Sequence, residues 1–404
     1  MAQKQQTNQF LLILILGLLT TIGPFSIDMY LPAFADIAKS LNTDISHISL
    51  SLSTFFIGLG FGQLIYGPLL ERYGRKKPMY IGLGLYILSS LGCAMATSVD
   101  NLIIFRFFQA VGSCGGLVAS RAIVRDLFEA KDMARIFSLL MMVVAISPIV
   151  APTVGGYVTA GLGWRYVFII LMIIAALILV LSILFLPESK KPDPAHSLKF
   201  RSIYSNYKSI FKHPQFILYV ITGSISYAGL IAYISGSAFL YMDLLRVSET
   251  QFGWIFAIIA AGLIGANQLN TLMLKVYTSE RIVLTSLVVQ SIVGGVLLFT
   301  IYTGQTGMYL TTFLIFSYMT CLGFVFPNSS ALSLAPLGHN AGNASALMGS
   351  LQTIIGALAS ALVGLLQNDS AMPMAVIMSL CAIMAWQLLR VGSRKLSLTS
   401  FGTP

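Results

Sequence analysis

Asp28 lies in the run Pro24-Phe25-Ser26-Ile27-Asp28-Met29-Tyr30-Leu31-Pro32, and Arg106 in Phe105-Arg106-Phe107-Phe108-Gln109-Ala110-Val111-Gly112; both runs sit inside long uncharged stretches. An ionisable side chain near the centre of a membrane helix costs roughly 2.5 to 3.5 kcal/mol on insertion scales, so such residues are functional by default. A carboxyl group there can hold a proton while its cavity is closed and dry, and give it up when a cation or water arrives. Asp28 is the candidate proton carrier and Arg106 the cation beside it. Asp28 comes about 19 residues into an outward-running span and Arg106 near the start of an inward-running one, so at about 1.5 Å per residue both belong to the outer half. Two other readings stay open: a static Asp28–Arg106 ion pair that joins two helices, or an Asp28 that reaches interfacial water. The histidines His47, His196, His213 and His339 fall in loops or near span ends, which leaves a carboxylate for the proton.

A second group of charges is Gly67-Pro68-Leu69-Leu70-Glu71-Arg72-Tyr73-Gly74-Arg75-Lys76-Lys77. Glycines let helix ends approach closely, and Glu71 with the basic residues can pair with neighbouring helix termini when one side of the protein closes. Arg125 and Asp126 are the expected partners, and Glu71 and Arg72 are read as gating. Lys76 and Lys77 can equally serve only to orient the chain by the positive-inside rule. A third pattern is Ser147, Pro148, Ala151, Pro152, Gly155 and Gly156. Small residues at four-residue spacing allow close helix packing in a membrane, and the prolines soften the helix. Packing alone explains much of it.

Other chemistries find no foothold. Cys93, Cys114, Cys321 and Cys381 lie in apolar stretches without metal spacing. There is no phosphate-binding loop with Gly-Lys-Ser/Thr, and Gly58-Leu59-Gly60-Phe61-Gly62 follows no strand. No nucleophile stands with a base, so an enzyme is not expected, and neither is a resident cofactor.

The elements that must position these residues are membrane helices. Of 404 residues, 56% are hydrophobic and 9% charged, against about 25% charged in a soluble domain. The missing polar surface must face lipid. Stretches of about 20 apolar residues occur at 9–33, 48–70, 79–97, 102–122, 136–158, 164–186, 215–238, 252–273, 282–302, 307–329, 344–366 and 372–390. This predicts an all-α membrane protein of twelve transmembrane helices. With a cytoplasmic N-terminus, about 20 of the 24 Lys and Arg fall on the cytoplasmic side, so both termini are expected there. The net charge of +10 follows from this orientation and does not point to nucleic acid. The polar stretch Pro187 to His213, with Glu188, Lys190, Lys191, Asp193, Lys199, Arg201, Lys208 and Lys212, divides the chain into an N-terminal six-helix bundle (1–187), a cytoplasmic linker (188–213) and a C-terminal six-helix bundle (214–404). No charged residue occurs between Arg281 and Asp369, so the second half is expected to supply polar and aromatic cavity walls. Candidates are Tyr30, Gln109, Tyr227, Tyr233, Asn267, Gln268, Tyr318, Asn328 and Gln352, whose polar atoms need partners that water or cargo can supply.

The Gly67–Lys77 stretch resembles the signature of the major facilitator superfamily between helices two and three, with Glu71 where that family carries aspartate. The Arg106–Gln109–Gly112 pattern resembles its helix-four signature. The Ser147–Gly156 pattern resembles the drug-antiporter signature of helix five, with Ser147 and Ala151 in place of two glycines. Asp28-Met29-Tyr30-Leu31-Pro32 resembles helix one of bicyclomycin-resistance transporters. Together with Trp164-Arg165-Tyr166-Val167-Phe168 and Ala344-Ser345-Ala346-Leu347-Met348-Gly349, the chain is similar to the Bcr/CflA drug:proton antiporters over nearly its whole length. That resemblance implies the major facilitator fold, alternating access around a central cavity, and efflux of bicyclomycin, chloramphenicol-like drugs or related molecules. The expectation is a multi-pass, monomeric, proton-coupled exporter in a bacterial inner membrane, its partners being small-molecule cargo, protons and the lipid bilayer. A dedicated transporter of one metabolite, such as a siderophore, purine or amino-acid derivative, is the alternative.

Overall fold

In the computed structural model, residues 2–128, 130–193, 207–305, 307–366 and 370–400 are described. His196, Lys199, Arg201 and Asp369 lie outside the described residues. The helices are α1 (Ala2–Asp28), α2 (Phe34–Ser40), α3 (Ile45–Tyr73), α4 (Lys76–Ala94), α5 (Val99–Leu127), α6 (Ala130–Leu162), α7 (Trp164–Phe185), α8 (Pro214–Ala238), α9 (Glu249–Met273), α10 (Ser279–Tyr302), α11 (Met308–Leu334), α12 (Ala341–Leu366) and α13 (Met372–Ser400). Local sequence fixes several ends. Ser98 caps α5, Thr278 caps α10, and Ser248 with Gln251 forms a capping box on α9, so the first N–H groups are satisfied where each helix meets water.

Among the described residues, ten helices are long and apolar enough to cross a membrane. The expected third and fifth spans fall on α4 and α6, which are not among the ten: α4 has 19 residues and begins with Lys76 and Lys77, and the apolar segment recognised on α6 is Ile146–Leu162. Large apolar side chains cover much of the outward faces. Ile173, Leu177, Val180 and Ile183 on α7 are each more than half exposed, as are Ile81 and Leu88 on α4. Water would not tolerate such continuous apolar surface, and lipid does.

The first expected span is longer than its apolar pattern and is interrupted. After Asp28 the α-helix stops, Leu31–Ala33 form a 3-10 turn, and α2 resumes at Phe34. Pro32 lacks the N–H needed to continue an α-helix through this point. Membranes tolerate such a break only where protein surrounds it, and Met29, Tyr30 and Leu31 are buried.

Among the helices before residue 188, α5 packs against α1, α3 and α4, α1 against α6 and α7, and α4 against α7. Among those after residue 213, α8 packs against α11, α12 and α13, α10 against α11 and α13, and α9 against α11. Two seams join the groups: α3 on α12, and α6 on α9. On the first, Ser53 Oγ lies 2.7 Å from Ser360 Oγ and Ser350 Oγ donates to the Gly60 carbonyl at 3.0 Å. On the second, a Cβ on Gly253 would come within 2.9 Å of the Thr153 backbone and one on Gly156 within 2.7 Å of the Glu249 carbonyl. These contacts join the C-terminal end of α6 to the N-terminal end of α9. At the other end of α9, Gly265 has open space around it and Asn267, Gln268 and Leu269 are exposed.

Candidate functional site

The break after α1 places Asp28 inside the protein, 5% exposed. Its Oδ2 accepts a hydrogen bond from Ser147 Oγ on α6 at 3.4 Å, and it lies within electrostatic reach of Tyr227 and Tyr233 on α8. The Asp28 carboxyl thus contacts α6 and acts electrostatically on α8, the two helices lying on either side of residues 188–213 in the chain. Ser147, Ala151 and Gly155 recur every four residues and share one face of α6. At the far end of that face, a Cβ on Gly155 would collide with the Met29 carbonyl. Glycine there is a steric requirement of the broken span.

Arg106 is fully buried and does not pair with Asp28. Its Nη1 donates to the Ser26 carbonyl at 3.0 Å and to Gln109 Oε1 at 2.7 Å. The guanidinium stands over the rings of Phe55 at 4.2 Å and Tyr30 at 4.4 Å. Nε and Nη2 have no hydrogen-bond partner among the described residues. An aromatic cage is worth about 2 kcal/mol or more to a desolvated cation, which offsets part of the burial. Of the two competing readings, the static Asp28–Arg106 pair is therefore absent: the cation is held by ring faces and a backbone carbonyl, the carboxyl by Ser147 on α6.

Several expected cavity residues are engaged elsewhere. Gln109 Nε2 donates to Ser90 Oγ at 2.8 Å, and Tyr30 Oη lies 2.8 Å from Ser51 Oγ. Both belong to a polar core around Arg106 that also includes Tyr86, 2.6 Å from Ser26 Oγ. Tyr318 donates to the Met378 carbonyl at 2.8 Å, and Asn328 Nδ2 to Asn270 Oδ1 at 2.7 Å. These four have protein partners because burial leaves no water to supply them. Tyr233 differs: it is buried, stacked on Phe256, and its hydroxyl has no partner among the described residues. Tyr227 is part-buried against Phe326, Gln352 is buried on α12, and Asn267 and Gln268 are exposed near the end of α9. Ser147 and Asn270 were missed as partners; the four-residue spacing through Ser147 was the available signal for the first.

The charges after α3 converge. Arg75 is 1% exposed; its Nε donates to Asp126 Oδ2 at 2.7 Å, and its Nη1 lies 3.1 Å from Glu71 Oε1, near enough to pair but off the hydrogen-bond direction. Glu71 also pairs with Arg125 at 3.3 Å and with Lys190. Burial opposes the Arg75 charge, but the Asp126 hydrogen bond and the charges of Glu71 and Asp126 outweigh it and raise its pKa. Just past α7, Glu188 accepts from the N–H of Arg75 at 2.7 Å and of Lys76 at 3.1 Å, and Ser189 donates to Asp126 at 3.0 Å. Gly74 takes φ +84°, and a Cβ there would press on Glu188. Gly67 has nothing within 4 Å, so close approach does not explain it. Arg72 lies over Tyr73 at 5.8 Å, with its carbonyl accepting from Asp193 N–H at 3.1 Å.

Comparison with known proteins matches this architecture. The family model for the Major Facilitator Superfamily matches residues 16–360. The MFS-type transporter YdgK of Bacillus subtilis is 35% identical over 91% of this chain and 92% of its own length. The bicyclomycin resistance protein homolog of Haemophilus influenzae is 29% identical over 95% and 96%, respectively. Multidrug resistance protein D of Escherichia coli is 25% identical over 94% and 95%. Among solved structures, a D-xylose–proton symporter superposes with a TM-score of 0.75 at 16% identity, covering 94% of this chain and 97% of that one, a likeness of fold alone.

Proposed function

The chain belongs to the Major Facilitator Superfamily, and from that membership we propose that it is a proton-coupled exporter of small, largely apolar compounds. Relatives named for bicyclomycin and multidrug resistance support the direction and the cargo. In this reading two six-helix bundles, 1–187 and 214–404, rock about the α3–α12 and α6–α9 seams, with 188–213 as a cytoplasmic linker. The packing of α4 and α6 among the ten apolar helices supports twelve spans. The protein works as a monomer in a bacterial inner membrane with both termini inside.

One observation carries the mechanism: a buried carboxyl, Asp28, at the break of the first span, contacting α6, within electrostatic reach of α8, and paired with no cation among the described residues. A proton from outside neutralises Asp28 as cargo leaves. The neutral carboxyl permits return to the inward-open state, and release of the proton inside, with Ser147 favouring the charged form, resets the cycle. Arg106 holds the Ser26 carbonyl and so fixes the geometry of the break. The Glu71–Arg75–Asp126 cluster favours one access state, and Tyr227, Tyr233, Gln352, Asn267 and Gln268 border the path of the cargo.

The test is proton flux in proteoliposomes with the native protein, Asp28→Asn and Arg106→Ala, challenged with chloramphenicol and bicyclomycin. Cargo-driven proton release is expected from the native protein and is lost in Asp28→Asn. Uphill transport by Asp28→Asn under a pH gradient would overturn the assignment, and net uptake would overturn export.

A further inference from the structure

Each arginine described on α5 is accounted for except one. Arg106 is caged and hydrogen-bonded, and Arg125 pairs with Glu71. Arg121, one turn inside Arg125 and six residues before the end of α5 at Leu127, has no carboxylate and no hydrogen-bond partner among the described residues. Its electrostatic neighbour is the Cys114 thiol, about two turns further along the helix.

The packing of α5 shows where Arg121 looks. Ser113 and Gly116 face α1 at Gly23 and Leu19; Phe107, Ala110, Val111 and Cys114 face α3 at Gly58 and Gly62; Gly112 and Gly115 face α4 at Gly82 and Tyr86. At about 100° per residue, Arg121 and Leu117 fall on the sector between the α1 and α3 contacts. α3 runs along α12, and the end of α1 looks to α8, so this sector opens towards the helices after residue 213. Arg121 is part-buried, about 9 Å inside the end of α5 at 1.5 Å per residue.

A cation in such a place is costly unless something answers its charge. We propose that Arg121 is the docking group for cargo that carries a carboxylate or a comparable acidic oxygen pair on an apolar body. The guanidinium fork matches two acidic oxygens at once, and its charge turns cationic cargo away. This names the cargo class within the exporter reading, on which only the direction of entry depends; the binding itself does not.

Equilibrium dialysis of the purified protein, without any pH gradient, tests it with 2-naphthoate against 2-naphthamide, which share a ring system and differ in charge. The expected result is about tenfold tighter binding of the naphthoate, the ratio that about 1.4 kcal/mol supplies. Arg121→Gln loses that preference with naphthamide binding unchanged, and Arg121→Lys keeps part of it. Should Arg121→Gln not fold, Leu117→Glu, which sets a carboxylate one turn away on the same sector, must abolish the preference. Equal binding of the two probes by the native protein, or a preference that survives in folded Arg121→Gln or Leu117→Glu, overturns the proposal. Failure of export shows separately, in the vesicle assay.

Discussion

The carbonyl of Met29 occupies the space that a Cβ on Gly155 would need. One helix of the α6–α9 seam is therefore fitted against the break that holds Asp28, and the next residue, Gly156, is fitted in the same way against Glu249 at the start of α9. Movement along the seam and the setting of the carboxyl are mechanically joined by these two adjacent positions.

Gly155→Ala should accordingly destabilise the protein by about 1–3 kcal/mol, the usual cost of overpacking, and reduce transport more than expression. Gly161→Ala lies on the same helix with nothing within 4 Å and should leave both unchanged. Thermal unfolding in detergent with a parallel transport assay makes the comparison. Equal behaviour of the two variants would show that the seam tolerates a methyl group and remove the coupling.

Arg106→Lys tests the aromatic cage. Lysine keeps the charge but cannot lay a flat guanidinium over Phe55 and Tyr30 while donating to the Ser26 carbonyl and Gln109. A loss of about 2 kcal/mol is expected from the cation–π part alone, seen as a lower melting temperature. Arg106→Gln, which leaves Gln109 Oε1 and the Ser26 carbonyl without their donor, should lose more. Native-like melting of Arg106→Lys would mean that charge alone suffices.

The helical character, the charge cluster after α3 and the small-residue face of α6 were all legible in the sequence, because each depends on local pattern: apolar length, charge spacing and four-residue repeats. The partners were not. The spacing puts Asp28 and Arg106 at one depth, yet depth says nothing about azimuth: Arg106 takes the Ser26 carbonyl of the broken span, while Asp28 takes Ser147 from α6. The same limit sent Tyr30, Gln109, Tyr318 and Asn328 to the cavity wall. An isolated polar residue in an apolar run looks unpaired until tertiary packing supplies Ser51, Ser90, the Met378 carbonyl or Asn270. Glu188 was legible as charge but not as a helix cap, since it lies 113 positions from the N–H of Arg75 that it accepts.

Arg75 and Asp126 should be strongly coupled. The pair is almost removed from water on the arginine side, and Asp126 also accepts from Ser189. A double-mutant cycle with Arg75→Gln and Asp126→Asn, read by thermal unfolding, is expected to give a coupling of about 1–3 kcal/mol, in the range for charge networks. The raised pKa of Arg75 keeps its contribution fully present below the ordinary arginine range, to be lost only as pH rises through the folded value. Its share of stability should therefore be flat across neutral pH. A coupling that vanishes between pH 6 and 8 would contradict the geometry.

The α3–α12 seam is closed where Ser53 Oγ lies 2.7 Å from Ser360 Oγ. If α3 and α12 must part there to release cargo, a covalent link should stop transport without harming the fold. After replacement of Cys93, Cys114, Cys321 and Cys381, the pair Ser53→Cys and Ser360→Cys should form a disulfide under mild oxidation, since the two side chains already meet. Transport should fall to background when oxidised and return on reduction, while each single variant stays active under both conditions. Full activity with the link intact, verified by a mobility shift of the oxidised protein, would mean that α3 and α12 move as one body and that cargo leaves by another route.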